Sequence, residues 1–152
     1  IHAARKVMGT ADCFICEADL YISDLSIFDA ELSRSCYYGK MVPGFSDDWV
    51  FDWDGERITR VGKEGTDRYN MVGVSYFKKA DAAVIRDAID AAYEKPGYEG
   101  LYWDEIVDRQ LDKLNLDIHP VEKEQIVEID SVAELAVIDE SYREVLEKMQ
   151  AE

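Results

Sequence analysis

The sequence predicts an α/β fold, namely a three-layer, doubly wound, Rossmann-like sheet from which one antiparallel hairpin projects. Residues 12–18 form an apolar run that ends in carboxylates and is typical of a buried strand opening into a polar loop. Residues 69–77 have too much Val and aromatic content, and too little helical period, to be anything but a second central strand. Residues 80–93 and 102–114 carry apolar side chains three and four positions apart, which predicts two helices packed on the sheet.

The first nine residues resemble the end of a helix, with apolar residues at 1, 4, 7 and 8 and a stop at Gly9. A chain that begins inside a helix is expected to be a fragment or to have an engineered boundary. The remaining predicted elements, in order, are a helix over 24–33 capped by Asp24, a strand over 36–42, a loop over 43–48, a hairpin over 49–61 with an Asp54-Gly55 turn, strands over 116–121 and 126–130, and a helix from Ser131 to about residue 149.

Composition limits the possible partners. At 152 residues the chain is expected to form a single domain, 1–152, with one core. Acidic residues outnumber basic ones 33 to 17, and the net charge of −16 should repel nucleic acid and anionic membranes. Neither a membrane span nor a signal peptide is recognisable, so a cytoplasmic location is expected.

Two predicted strands end in paired carboxylates. Alternation places Glu17 and Asp19 on one side of the first strand, and it places Glu128 and Asp130 together on the last. Asp19 and Asp130 could therefore hold a Mg²⁺ between them, because this ion takes one or two carboxylates and completes its shell with phosphate and water. The alternative is that Asp19 is a helix cap or a solvated loop residue, and that Asp130 merely precedes the N-cap Ser131.

Aromatic residues beside acidic ones form the other notable feature. Trp49, Trp53, Tyr102 and Trp103 all have Asp or Glu as near neighbours in the chain, which is the composition that a quaternary ammonium site needs. Plain core packing is the alternative for Trp103, which lies on the apolar stripe of its helix, and for Trp53 in the hairpin.

Several segments, in this order, resemble bacterial CTP:phosphocholine cytidylyltransferases, which belong to the nucleotide-sugar pyrophosphorylase-like nucleotidyltransferases. The resemblance covers nearly all of the chain and implies metal-assisted attack of a phosphomonoester on the α-phosphate of CTP, with release of pyrophosphate. The segments are Cys16-Glu17-Ala18-Asp19, Trp49 before the hairpin, Val72-Gly73-Val74-Ser75-Tyr76-Phe77, Leu101-Tyr102-Trp103-Asp104 and Val127-Glu128-Ile129-Asp130-Ser131.

By this resemblance, Asp19 and Asp130 would be the catalytic residues that hold Mg²⁺. The choline head group would be surrounded by Trp49, Tyr102, Trp103, Asp104 and Glu128, the rings acting by cation–π contact and the carboxylates by charge.

The family begins with a strand and a glycine-rich loop whose Arg and Lys hold the triphosphate, and no Gly-x-Gly-x-x-x-Arg pattern occurs here. The chain is therefore expected to be the C-terminal, acceptor- and metal-binding portion of such an enzyme, inactive alone. Its exposed apolar edge would be covered by a second copy in a homodimer. The alternatives are a sugar-1-phosphate nucleotidyltransferase, since fold does not set the acceptor, and a non-catalytic acidic module for a cationic ligand.

Overall fold

The computed structural model describes residues 1–150. Short 3₁₀ turns occupy His2–Ala4, Leu25–Phe28, Tyr98–Gly100 and Glu140–Tyr142. The strands are β1 (Cys13–Cys16), β2 (Leu20–Ile22), β3 (Cys36–Trp53), β4 (Ile58–Phe77), β5 (Asp117–Pro120) and β6 (Ile126–Glu128), and the helices are α1 (Lys79–Tyr93), α2 (Trp103–Asp108), α3 (Val132–Ile138) and α4 (Arg143–Gln150).

The main sheet has the strand order β1-β4-β3-β5. The β1–β4 and β3–β4 pairs are antiparallel, and the β3–β5 pair is parallel. A second, two-stranded sheet is formed by β2 and β6 in antiparallel pairing. The chain combines helices and strands, as the predicted α/β class requires, but they occur in groups rather than in alternation, and the pairing among the described strands is largely antiparallel.

The β3–β4 hairpin is much longer than the predicted hairpin at 49–61. Segment 43–48, expected to be a loop, lies within β3, where register shifts between Val42 and Phe45 and between Ser46 and Trp49 interrupt regular pairing. Pro and Gly at such positions are compatible with bulges, which is why the turn-like composition misled the prediction. Asn70 pairs with Lys40 on one side and Val50 on the other, so the hairpin curls over itself.

Apolar residues cover both faces of the sheet. On one face, Phe77, Tyr37 and Ile85 belong to a core shared by the sheet, α1 and α2. On the other face, Tyr38 and Val74 pack with Ile27 from the Leu25–Phe28 turn and with residues of β2 and β6. The predicted central strand at 69–77 is confirmed, since it lies between β1 and β3.

The predicted elements in the first 33 residues also need correction. Residues 12–18 do not form a central strand: β1 covers Cys13–Cys16 at the sheet edge, with Phe14 40% exposed. The homodimer expected at this edge stays a prediction. The helices expected over 1–9 and 24–33 are only short 3₁₀ turns, although Asp24 does cap the second by accepting the Ser26 amide at 3.0 Å.

The helix predicted over 102–114 ends at Asp108. Turns with i to i+3 bonds, such as Gln110 N–H to the Val107 carbonyl at 2.8 Å, carry the chain onward and still bury Leu111 and Leu114. A spacing of three and four residues therefore did not distinguish a helix from consecutive turns.

None of the helices within residues 1–150 combines the length and the apolar character needed to cross a membrane.

The packing around Phe77 predicts a large loss of stability when its ring is removed. Phe77 is fully buried, and its ring centroid lies 5.7 Å from that of Tyr37 and 6.2 Å from that of Trp103. Phe77→Ala should lower the free energy of unfolding by about 3–5 kcal/mol in urea titrations. Phe45→Ala is the matched control, since this ring is 69% exposed and its removal should cost less than about 0.5 kcal/mol. Equal losses in the two variants would contradict the described core.

Candidate active site

Three carboxylates meet beside the β2–β6 pair. Leu20 of β2 pairs with Glu128 of β6, and the Ile129 N–H donates to the Asp19 carbonyl at 2.8 Å, so the two segments run side by side. The Glu17 N–H donates to the Gly73 carbonyl at 2.9 Å and thereby holds Glu17 against β4. One carboxylate oxygen from each of Glu17, Asp19 and Glu128 lies within 4.8 Å of the others. We refer to these three side chains as the carboxylate cluster.

The three residues of the carboxylate cluster are exposed, but desolvation and neighbouring charges make ionisation of Glu17 and Glu128 less favourable. Burial raises the pKa of Glu17, and the charges of Asp19 and Asp48 raise it further. Burial also raises the pKa of Glu128, with further contributions from Asp130 and Glu17. Because a bound cation would remove this penalty, the cluster has the electrostatics of a cation site. Its donors are all carboxylate oxygens, which are the ligands that Mg²⁺ prefers.

Asp130 does not belong to this group of close oxygens, although its charge reaches Glu128. Its backbone N–H donates to the Glu134 carboxylate at 2.9 Å, and Ser131 caps α3 by accepting the Glu134 N–H at 3.2 Å. The predicted capping box is thus confirmed. The structure places carboxylate oxygens of Asp19, Glu17 and Glu128 close together, whereas the sequence analysis predicted a metal site shared by Asp19 and Asp130.

Asp104 is the most deeply buried acidic residue near the cluster. It is 3% exposed, and the Tyr37 hydroxyl donates to its carboxylate at 2.9 Å. Burial raises the pKa of Asp104 to about 7, opposed by the Tyr37 hydrogen bond and reinforced by the charge of Glu17. Burial also raises the pKa of Tyr37 well above its ordinary value. The electrostatic influence of Glu17 on both groups links Asp104 to the carboxylate cluster.

The predicted aromatic set separates into two groups. Trp49 and Tyr102 lie with ring centroids 5.5 Å apart in an edge-to-face arrangement, and we call them the aromatic pair. Trp103 instead packs in the core, 6.1 Å from Tyr37. The aromatic pair lines a cavity of about 560 Å³ together with Lys63 and other residues, but neither Asp104 nor Glu128 lines it. The aromatic wall and the acidic groups therefore do not enclose one cavity in this structure.

Comparisons with known proteins show which proteins the chain resembles. The chain is 50% identical over 143 residues to a 2-aminoethylphosphonate cytidylyltransferase of Lancefieldella rimae, covering 93% of the chain and 58% of that protein. It is 26% identical over 131 residues to a choline-phosphate cytidylyltransferase of Streptococcus pneumoniae, covering 86% of the chain and 57% of that protein. The chain thus spans less than two thirds of these curated relatives. No family model matches the sequence.

Solved structures agree on the fold. The CTP:phosphocholine cytidylyltransferase of Streptococcus pneumoniae superimposes with a TM-score of 0.75 at 22% identity, covering 93% of the chain and 61% of that structure. A glucose-1-phosphate thymidylyltransferase from Bacillus anthracis, itself described as putative, gives a TM-score of 0.63 at 14% identity, covering 93% of the chain and 58% of that structure. In sequence the chain resembles cytidylyltransferases, and it shares its fold with these nucleotidyltransferase structures. The resemblance found in the sequence is confirmed.

Sequence reasoning missed two acidic residues of the candidate site. Glu17 could have been found, because alternation already placed it beside Asp19 on one strand face. Asp48 gave no such signal, because its approach to Glu17 and Glu128 depends on the irregular pairing between Ser46 and Trp49. Tyr37 was equally hidden, since its hydroxyl reaches Asp104 across 67 residues of chain.

The buried Asp104 predicts one component of the chain's stability that is lost as the pH rises. Its folded-state pKa of about 7 lies above the ordinary 3.8, so near pH 5 the folded chain keeps a proton that the unfolded chain has released. The contribution of Asp104 is therefore full below pH 4 and is lost as the pH rises to 7, at most about 1.4 kcal/mol per unit of pKa difference. In urea titrations at pH 5 and pH 8, Asp104→Asn should abolish this component, because an amide does not titrate in this range. The amide oxygen can still accept from the Tyr37 hydroxyl, so the hydrogen bond is kept.

The matched control for this experiment is Asp112→Asn, which alters an exposed acidic residue and should keep the wild-type dependence on pH. An Asp104→Asn variant that loses as much stability between pH 5 and pH 8 as the wild type would contradict the assignment.

Proposed function

We propose that the protein of which this chain is part transfers a cytidylyl group from CTP to a small, amine-bearing phosphonate or phosphate, with release of pyrophosphate and with Mg²⁺ held by the carboxylate cluster. The observation that carries the proposal is the convergence of Glu17, Asp19 and Glu128 within 4.8 Å. The similarity to two cytidylyltransferases supports the nucleotide. Since the chain spans 58% and 57% of these relatives, the activity is proposed for a longer protein.

The residues of this chain would act by positioning and by charge. A bound Mg²⁺ would supply charge neutralisation at the reacting phosphates. Glu17 follows the end of β1, Asp19 immediately precedes β2, and Glu128 lies in β6, which pairs with β2. Asp130, whose charge raises the pKa of Glu128, is also proposed as a ligand, bound directly or through water. The β2–β6 pairing favours a fixed spacing between Asp19 and Glu128.

The acceptor we propose is 2-aminoethylphosphonate. A primary ammonium donates three hydrogen bonds, and Asp104 and Asp48 offer carboxylate oxygens close to Glu17. The 50% identity to a 2-aminoethylphosphonate cytidylyltransferase supports this choice.

Phosphocholine is the second candidate. It is favoured by the aromatic pair, because Trp49 and Tyr102 could contact a trimethylammonium group, and by the similarity to a choline-phosphate cytidylyltransferase. In that case Trp103 would not contact the head group and would support the site by packing against Tyr37. Sugar 1-phosphates are supported only by fold similarity, which does not set the acceptor.

Removing one carboxylate from the cluster should weaken metal binding. In the full-length protein, Asp19→Asn keeps the shape of the side chain but removes its charge. It should raise the Kd for Mn²⁺, measured by electron paramagnetic resonance, by at least about tenfold, and it should raise the Mg²⁺ concentration for half-maximal activity to a similar extent.

Asp112→Asn serves as the control, because it removes the same charge from an exposed position outside the cluster. If Asp19→Asn and Asp112→Asn bound Mn²⁺ equally well, the cluster would not be the metal site. If Asp19→Asn does weaken Mn²⁺ binding, the variants Glu17→Gln and Asp130→Asn rank the other proposed ligands by the same measurement.

The proposed acceptor predicts a substrate preference. With CTP and the full-length protein, kcat/KM for 2-aminoethylphosphonate should exceed that for phosphocholine by at least about tenfold, since one charge-assisted hydrogen bond is worth about 1.5–3 kcal/mol. A coupled pyrophosphate assay with each acceptor alone, and with both in competition, measures the ratio. A preference for phosphocholine would favour the second candidate, and turnover of sugar 1-phosphates alone would exclude both.

A further inference from the structure

The aromatic pair already holds a cation, and that cation belongs to the chain. The Lys63 ammonium nitrogen lies 5.8 Å from the ring centroid of Trp49 and 5.4 Å from that of Tyr102. Both distances fall within the roughly 6 Å at which a cation is attracted to a ring face. The contact follows from the hairpin register, because Lys63 of β4 pairs directly with Trp49 of β3.

The surroundings of Lys63 favour this placement of its ammonium group. Two carboxylates line the same cavity, but both are hydrogen-bonded to backbone: Glu105 accepts the Tyr102 N–H at 2.9 Å, and Asp108 accepts the Val61 N–H at 2.7 Å. Within residues 1–150, the ion pairs of the structure do not include Lys63. The rings contact its ammonium group, and the charges of Glu105 and Asp108 attract it from the same cavity.

Basic side chains outnumber acidic ones three to two around the cavity, in a chain whose net charge is −16. Arg60, Lys63 and Arg109 all line it. A trimethylammonium group entering between Trp49 and Tyr102 would have to displace the Lys63 ammonium while meeting two guanidinium groups. It could gain no hydrogen bond in compensation, because it has no N–H to donate.

A primary ammonium faces no such competition. Its three N–H groups suit carboxylates, and Asp104 and Asp48 lie near the cluster rather than in the basic cavity. A primary ammonium would therefore depend on the carboxylates near the cluster, and a quaternary ammonium would depend on the aromatic pair.

We infer that Lys63 is a specificity-determining residue: its ammonium fills the aromatic pair and so selects against acceptors that carry a quaternary ammonium, leaving primary amines as the substrate class. This inference rests on the proposed function, and it extends that function to a residue with no role in metal binding or in transfer of the cytidylyl group.

Emptying the aromatic pair should change the preference between acceptors. In the full-length protein, Lys63→Met keeps a long side chain without charge, and it should raise the ratio of kcat/KM for phosphocholine to kcat/KM for 2-aminoethylphosphonate by about tenfold. Lys63→Arg should leave the ratio near the wild-type value, because a guanidinium also stacks on aromatic rings. Lys6→Ala removes an exposed lysine near the N-terminus, outside the cavity, and should leave the ratio unchanged.

A binding experiment separates this inference from the proposed function. Tetramethylammonium chloride, titrated into the full-length protein by calorimetry, should bind Lys63→Met at least about tenfold more tightly than wild type, and Trp49→Leu in the Lys63→Met background should abolish the gain. If neither acceptor is turned over but this binding gain is seen, the proposed function fails and the self-filled aromatic pair stands. If both acceptors are turned over and Lys63→Met changes neither the ratio nor the binding, the inference on Lys63 is wrong.

Discussion

The antiparallel pairing of β3 with β4 is the interaction on which the rest of the structure depends. Both cores attach to it, because Tyr37 and Phe77 face the helices while Tyr38 and Val74 face the opposite layer. The alternation of strand side chains makes this division unavoidable. Curling of the hairpin, seen in the two-sided pairing of Asn70, then brings its distal part back toward the sheet. Without that curl, Trp49 and Asp48 would lie far from α2 and the carboxylate cluster.

Gly73 shows how the same hairpin accommodates the site. Its φ of +73° belongs to the left-handed region, which favours glycine, and a Cβ there would lie 2.7 Å from a Glu17 carboxylate oxygen. A glycine within a strand leaves room for a close neighbour. The structure shows that Glu17 and Leu20 occupy this room. A backbone feature of a central strand thus permits one member of the carboxylate cluster to pack against the sheet.

The sequence was most informative where one local pattern had one structural solution. The apolar run at 69–77, α1 with buried Ala82, Ile85 and Ile89, and the Ser131 capping box were all predictable for this reason. It failed where the outcome depends on long-range contacts. The edge position of β1 depends on which strands lie beside it, and the bulges in β3 depend on the register with β4. Asp19 and Glu128 were predictable as site candidates, whereas Asp48 and Tyr37 join the site through contacts distant in sequence.

Neighbouring residues in this chain contribute to regions of opposite charge. Asp48 and Trp49 are consecutive, yet Asp48 acts on Glu17 and Glu128 while Trp49 contacts Tyr102 and Lys63. Similarly, Tyr102 is 57% exposed in the basic cavity, and Asp104, two residues later, is buried against Tyr37. Proximity in sequence suggested one site with aromatic walls and an acidic floor. Because backbone geometry sends close neighbours to different sides of an element, the same residues instead separate an acidic region from a basic one. That separation lets a strongly acidic chain keep three cationic side chains around one cavity, beside the carboxylates of Glu105 and Asp108.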